Sequence, residues 1–241
     1  MEQTEKRKVY LVGAGPGDTD HLTLKAVIVL KHADVVLYDD LVNKECLSSC
    51  KEDAIKICVG EKQEEINHLI VMYAKAGKRV VRLKTGTPFV SNSGFEEAKT
   101  IADAGFEPVI VSGVSSITSV TEQFMMPLLD IQFNDSCRTI NGDNIDLFSD
   151  IITTYHPRES LVILMGLENL KNIVEYLISS DFPVDTPLAI LSKGTTPNES
   201  KIVSTLHEIS QQNENFFIDV KTLTPAIIVV GATVNGWNHF N

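Results

Sequence analysis

Residues 9–42, V-Y-L-V-G-A-G-P-G-D-T-D-H-L-T-L-K-A-V-I-V-L-K-H-A-D-V-V-L-Y-D-D-L-V, restrict the possible folds more than any other stretch of the chain. An apolar run over residues 9–12 gives way to Gly13, Gly15, Pro16 and Gly17, then to an apolar segment with helical spacing. A second apolar run follows and stops at Asp39 and Asp40. This is a strand-helix-strand unit. Three glycines strip side chains from the turn, so another group can come close to the backbone, and Pro16 stiffens it. Thr23 is placed to cap the amides that follow it, with Leu22 and Val27 at the positions of a hydrophobic staple, which starts the helix near Leu24. Leu24, Val27 and Ile28 read as its apolar face, with Lys31 and His32 at a polar end. Asp39 then falls at the carboxyl end of a buried strand, where open α/β sheets bind ligands. A dinucleotide fingerprint would need glycine or alanine where Asp18 stands and an earlier helix start. Taken alone, the loop also fits an ordinary strand-to-helix turn that holds no ligand.

The rest of the chain repeats this alternation. A short helix is expected over residues 43–51, a strand over 55–59, a helix over 63–76 ending at Gly77, and a strand over 80–83. Residues 84–89, Lys-Thr-Gly-Thr-Pro-Phe, form a second glycine-proline loop ahead of a helix over 94–104. A strand at 109–111 and a helix at 116–123 follow. Near-continuous apolar strands alternating with helices argue for a parallel sheet covered on both faces. A first domain is expected to end at residue 127, with residues 128–137 as a linker and 128–241 as a second domain. There the strands read 138–140, 161–165, 188–191, 201–205 and 226–230, and the helices 145–154 and 167–179. Closely spaced strands after residue 187 suggest a mixed sheet. At 241 residues with 43% hydrophobic content, the chain can bury a core in each of two domains.

Composition excludes several classes. The net charge of -11 disfavours nucleic acid and anionic membrane surfaces. There is no apolar run of about 18 residues, and residues 1–8 are charged where a signal peptide would be apolar, so a cytoplasmic protein is expected. Cys46, Cys50, Cys58 and Cys137 form no paired C-x-x-C motif, so neither zinc nor disulfides are expected, and the four read as buried thiols.

The opening string, V-x-L-V-G-A-G-P-G-D, then L-T-L-K-A, then A-D-V-V-x-Y-D-x-L-V, closely resembles the start of the tetrapyrrole methylases, above all the uroporphyrinogen-III C-methyltransferases. The resemblance runs on through Gln63-Glu64-Glu65-Ile66-Asn67, Gly77-Lys78-Arg79-Val80-Val81-Arg82-Leu83-Lys84, Pro88-Phe89-Val90, Gly94 with Glu96-Glu97-Ala98, residues 161–166, and Thr224-Pro225-Ala226 with Val229-Val230-Gly231. It implies a two-domain α/β methyltransferase, with a mostly parallel sheet first and a mixed one second. It also implies S-adenosylmethionine in a cleft between the domains, a homodimer, and a small-molecule tetrapyrrole substrate on the path to sirohaem or corrins.

Position by position, the resemblance places Pro16 in the first cofactor loop and Thr85, Gly86 and Thr87 where relatives usually carry Gly-Gly-Asp. Ser115 and Ser116 stand where Thr-Ser or Thr-Ala is common. Met165 matches the methionine of a V-x-x-M-G strand, and Ala189 and Ala226 match alanines that line the cofactor. Asp39 is the implied catalytic residue, for proton transfer or for orienting pyrrole N–H groups. Ser93, Glu96 and Glu97 occupy the substrate segment, with Ser93 where relatives carry arginine. Met125-Met126-Pro127-Leu128-Leu129-Asp130-Ile131 likewise lacks two basic residues of the family pattern. The basic side chains left as candidates are Lys62, Lys84, Arg138 and Lys193, each read as a solvated surface charge. The lost cations keep two alternatives open beside methylation of uroporphyrinogen III: a noncatalytic relative, or one that methylates a less anionic acceptor.

Overall fold

The glycine-proline turn sits between β1 (Lys8–Gly13) and α1 (Leu24–Lys31), and α1 leads into β2 (Val35–Asp39). This arrangement is seen in a computed structural model that describes residues 7–90 and 93–240. Thr23 caps α1, its Oγ1 accepting the Ala26 N–H at 3.1 Å. The buried face of α1 differs from the expected one. Ala26 and Leu30 are fully buried, whereas Leu24 is 84% and Ile28 59% exposed. In a helix that is apolar nearly all round, spacing admits more than one stripe, and the sheet selects the one with the smaller Ala26 at the point of contact.

The first unit spans Met1–Ser115. Its remaining elements are β3 (Ile55–Val59), α2 (Gln63–Lys75), β4 (Val80–Lys84), α3 (Gly94–Asp103) and β5 (Glu107–Val111). The strands pair in the order β3-β2-β4-β1-β5, all parallel. Alternate residues supply the two faces, as a strand requires. Val9, Leu11, Val35, Leu37 and Val80 pack under Ile66, Ile70 and Ala74 of α2 and Ile101 of α3. Val12, Val36, Val81 and Leu83 pack under Ala26 and Leu30 of α1 and under Cys46. Cys46 belongs to a 3-10 helix, Lys44–Ser49, within the span where a short helix is expected. The parallel arrangement brings the loops after β1, β2 and β4 to one edge of the sheet.

The second unit, Ser116–Asn241, holds α4 (Ser116–Gln123), β6 (Ser136–Asn141), α5 (Ile145–Ile151), β7 (Glu159–Leu164) and α6 (Leu170–Ser179). It continues with β8 (Pro187–Ser192), β9 (Ser200–Thr205), α7 (Leu206–Ser210), α8 (Glu214–Lys221) and β10 (Ala226–Val230). Its sheet runs β6-β7-β10-β8-β9, with β6 parallel to β7 and the other pairs antiparallel, which is the expected mixed sheet. The division falls ahead of α4, not at residue 127, because Val120 and Phe124 pack with Val162, Ala189 and Val229. Helices α7 and α8 were not expected.

Of the four cysteines, Cys46 is buried and Cys50 and Cys137 are half-buried, and burial raises all three thiol pKa values. Cys58 departs from expectation: it is exposed, with Sγ 3.8 Å from Asp40 Oδ1.

Candidate active site

The two glycine turns of the first unit are bonded to each other. Gly15 N–H donates to the Gly86 carbonyl at 3.1 Å, Gly86 N–H returns to the Gly15 carbonyl at 2.8 Å, and Ala14 N–H donates to the Lys84 carbonyl at 2.8 Å. The glycines divide the work. A Cβ added at Gly113 would lie 2.1 Å from the Gly86 carbonyl oxygen, and one at Gly13 would lie 2.5 Å from both that oxygen and Gly113 N. Gly13 and Gly113 are therefore required for turn-to-turn packing. Gly86 is different: its φ is 66°, and a Cβ there would meet nothing within 4 Å. That turn presents bare main chain to open space. Beside it, Thr85 Oγ1 is buried without a hydrogen-bond partner, and Thr87 Oγ1 accepts the Gly113 N–H at 3.3 Å. An open glycine turn flanked by an orphaned buried hydroxyl suits a small polar ligand held mainly by backbone groups.

Below these turns lies a buried cluster of charges. Arg82 and Lys84, two residues apart on β4, point to the same face and meet Glu97 from α3; the three are 1%, 2% and 0% exposed. Glu97 Oε1 accepts from Arg82 Nε and from Lys84 Nζ, each at 3.0 Å. Arg82 Nη1 donates to the main-chain carbonyls of Leu83 at 3.1 Å and Leu37 at 3.4 Å. Its Nη2 forms a short ion pair with Asp39 Oδ1. The start of α3 can pack against the loop that follows β4 because Gly94 has no side chain, a Cβ there falling 1.9 Å from the Pro88 carbonyl oxygen. Two cations and two carboxylates compensate one another, as buried charges must.

Asp39 is the member of this cluster that reaches solvent, its side chain 22% exposed. Its Oδ2 accepts the Thr85 N–H at 3.1 Å, which ties the end of β2 to the first residue of the second glycine turn. The structure thus brings Asp39, Thr85, Gly86, Thr87 and the Pro16 turn to one edge of one sheet. Glu97, expected on the substrate side, is fully buried under that edge, while Glu96 is exposed and accepts from Asn67 Nδ2 at 3.2 Å. Ser93 is half-buried at the start of α3, and its side chain makes no capping bond. Lys84 is not the solvated charge expected from the sequence. Arg82 is a further residue of the site, and its signal in the sequence is that two cations at alternate positions of an otherwise apolar strand, with both faces covered, must find buried carboxylates.

In the second unit, Met165 follows β7 with φ 54° and 41% exposure. Ala189 lies inside β8, fully buried, with both neighbouring strands paired across it at Val229 and Val203. Ala226 opens β10 opposite Ser192. Ser115 closes the first unit and Ser116 opens α4. Arg138 is spoken for by Glu159 at 3.1 Å and by the Ile151 carbonyl at 3.2 Å. In the first unit, Lys62 pairs with Glu65 at 3.0 Å on an exposed surface.

Residues 8–210 match the model of the family Tetrapyrrole (Corrin/Porphyrin) Methylases. The chain belongs to the tetrapyrrole methylases. It is 38% identical over 242 residues to the siroheme synthase of Acinetobacter baylyi, which covers 95% of this chain and 51% of that protein. It is 37% identical over 238 residues to the uroporphyrinogen-III C-methyltransferase of Methanocaldococcus jannaschii, covering 95% and 97% of the two chains. The chain spans about half the length of the siroheme synthase and nearly all of the methyltransferase. The crystal structure of uroporphyrin-III C-methyl transferase from Thermus thermophilus, complexed with S-adenyl homocysteine, superimposes with a TM-score of 0.78 at 32% identity, covering 95% of this chain and 99% of that one. The tetrapyrrole methylase fold expected from the sequence is the fold of this chain.

Proposed function

We propose that this methylase transfers methyl groups from S-adenosylmethionine to pyrrole carbons of uroporphyrinogen III, forming precorrin-2 and S-adenosylhomocysteine. The observation that carries the reading is the placement of Asp39. A carboxylate stands at the carboxyl edge of a parallel sheet, joined through the Thr85 N–H to an open glycine turn. The likeness to the Methanocaldococcus jannaschii methyltransferase over nearly the whole of both chains supports the choice of substrate.

Bound S-adenosylmethionine supplies an electrophilic methyl group on sulfur. The chain's own contribution is alignment and proton handling. Main-chain groups of the Pro16 turn and of Thr85, Gly86 and Thr87, with the Thr85 hydroxyl, hold the cofactor; Ser115, Ser116, Met165, Ala189 and Ala226 are its other proposed contacts. Asp39 faces the tetrapyrrole. Each of its oxygens already accepts one donor from the protein, and an ionised carboxylate has roughly four acceptor sites, so about half remain to accept pyrrole N–H groups or the proton released after methylation. Ser93 and Glu96 flank the tetrapyrrole on the α3 side, with Glu97 acting from beneath. The same reading carries a homodimer and a cytoplasmic location, both taken from the family resemblance.

Two experiments test it. Calorimetric titration with S-adenosylmethionine gives saturable heat, and its absence at millimolar cofactor excludes methyl transfer. Incubation with uroporphyrinogen III under reducing conditions then yields a methylated product whose oxidised form absorbs to the red. If cofactor binds without turnover of uroporphyrinogen III, the proposed reaction is overturned in favour of a noncatalytic relative or a different acceptor.

A further inference from the structure

We propose that Arg82 is a positioning residue for Asp39, an inference that rests on the role assigned to Asp39 above. Stability alone is a poor account of the buried cluster. Replacing a buried ion pair by well-packed apolar residues is often neutral or stabilising, and the rest of β4 shows that apolar side chains fill these faces well. What the cluster does supply is a fixed direction. All three nitrogens of the Arg82 guanidinium are engaged, and the partners on two of them cannot move. The carbonyls of Leu37 and Leu83 belong to the β2 and β4 ladders, and Glu97 is fully buried on α3 with Lys84 on the same oxygen. The planar fork therefore cannot rotate, and its remaining nitrogen meets Asp39 Oδ1 while the Thr85 N–H holds Oδ2. Held at both oxygens from the β4 side, the carboxylate keeps one orientation, with its free acceptor sites directed away from the protein. A lysine at this position could supply the charge but not the fork.

The test is a double-mutant cycle between Arg82→Lys and Asp39→Ala, read as kcat and KM for uroporphyrinogen III, with cofactor affinity by calorimetry and thermal melting alongside. Arg82→Lys alone lowers kcat about 100-fold, the effect of loosening a reacting group by about 1 Å. KM and cofactor affinity change little, because neither ligand touches Arg82. In the Asp39→Ala background the same substitution changes the residual rate by less than about twofold, the margin within which uncoupled effects are read. A wild-type kcat in Arg82→Lys, or an equal loss in both backgrounds, overturns the positioning role. Full activity in Asp39→Ala overturns instead the role of Asp39 itself, so the two failures are told apart. If Arg82→Lys does not fold, Arg82→Gln, whose amide nitrogen falls near the position from which Nε donates to Glu97 Oε1, enters the same cycle with the same expected outcome and the same result that overturns it.

Discussion

Gly86 and Gly113 lie within one turn-to-turn contact yet should respond in opposite ways to the same substitution. At Gly113 a methyl group lands 2.1 Å from a main-chain oxygen, and neither backbone can yield without breaking the Gly15–Gly86 bridge. Gly113→Ala is therefore expected to lose about 3 kcal/mol or more in urea unfolding. At Gly86 the methyl group meets open space and only the positive φ is penalised, a cost of about 1–2 kcal/mol. If the turn holds the cofactor, Gly86→Ala weakens S-adenosylmethionine binding at least about tenfold by calorimetry, a loss of roughly 1.4 kcal/mol that the fold does not share. Lys84 belongs with the structural residues. Lys84→Met leaves Glu97 fully buried with Arg82 as its remaining cation, and is expected to cost about 3 kcal/mol in the same unfolding measurement, as uncompensated buried charges do. At this scale the sequence was only half legible. Asp39 could be found because strand ends in α/β sheets are where ligands bind, and Thr23 because a cap has a local signature. Arg82, Lys84 and Glu97 could not be joined, since the contact between β4 and α3 depends on how the helix returns over the sheet, which no local pattern records.

Elements were legible where their periods were unmixed. Strand β3 and helix α4 fall where the residue pattern put them, and the second sheet is mixed as its crowded strands implied. Helix α7 was missed although it carries a capping box: Thr205 Oγ1 accepts the Glu208 N–H at 3.2 Å while Glu208 Oε2 accepts the Thr205 N–H at 3.2 Å. The four-residue signature Thr-Leu-His-Glu was there to be read, but the helix it starts has five residues, too few for apolar periodicity to show. At the amino-terminal edge of the first sheet, Asp34 links three elements. Its carboxylate accepts the Arg79 N–H at 2.7 Å ahead of β4 and Lys51 Nζ at 2.5 Å ahead of β3, while its own main chain leads into β2. The Arg79 N–H first, then Lys51, hold its pKa below the usual carboxylate range. A depressed folded-state pKa means that the stabilisation is complete above the unfolded value of about 3.9 and disappears as pH falls through the lower folded value. Solvent around the pair keeps the effect near 1 kcal/mol. Urea midpoints for Asp34→Asn should accordingly fall below wild type at neutral pH and converge with it in acid, once Asp34 is protonated in the folded protein as well. A gap that persists in acid would assign the effect to packing.

Across the whole molecule the dominant quantity is the charge of -11, and it acts on the two proposed ligands with opposite sign. Uroporphyrinogen III is a polycarboxylate, whereas S-adenosylmethionine at neutral pH carries a net positive charge from its sulfonium and ammonium groups against one carboxylate. The segments where the family resemblance implies arginine or histidine offer no compensating cations here: Ser93 stands for one, and Asp130 and Ile131 for two more. Arg82 and Lys84, buried at the site, are neutralised by Glu97 and Asp39 and contribute little net field to an approaching anion. An acidic surface then repels the tetrapyrrole over a distance set by the Debye length, about 30 Å at 0.01 M salt and about 8 Å at 0.15 M. Raising the salt over that range should increase kcat/KM for uroporphyrinogen III, the reverse of what an attractive site shows. The cofactor should respond the other way, its binding weakening as the attraction between a cation and an acidic protein is screened. Initial rates against tetrapyrrole concentration at several salt levels, with calorimetric cofactor titrations in the same buffers, give both slopes. Opposed slopes place the control of encounter in the net charge, whereas a kcat/KM that falls with salt would require a local cluster of cations at the tetrapyrrole site strong enough to outweigh the charge of the whole chain.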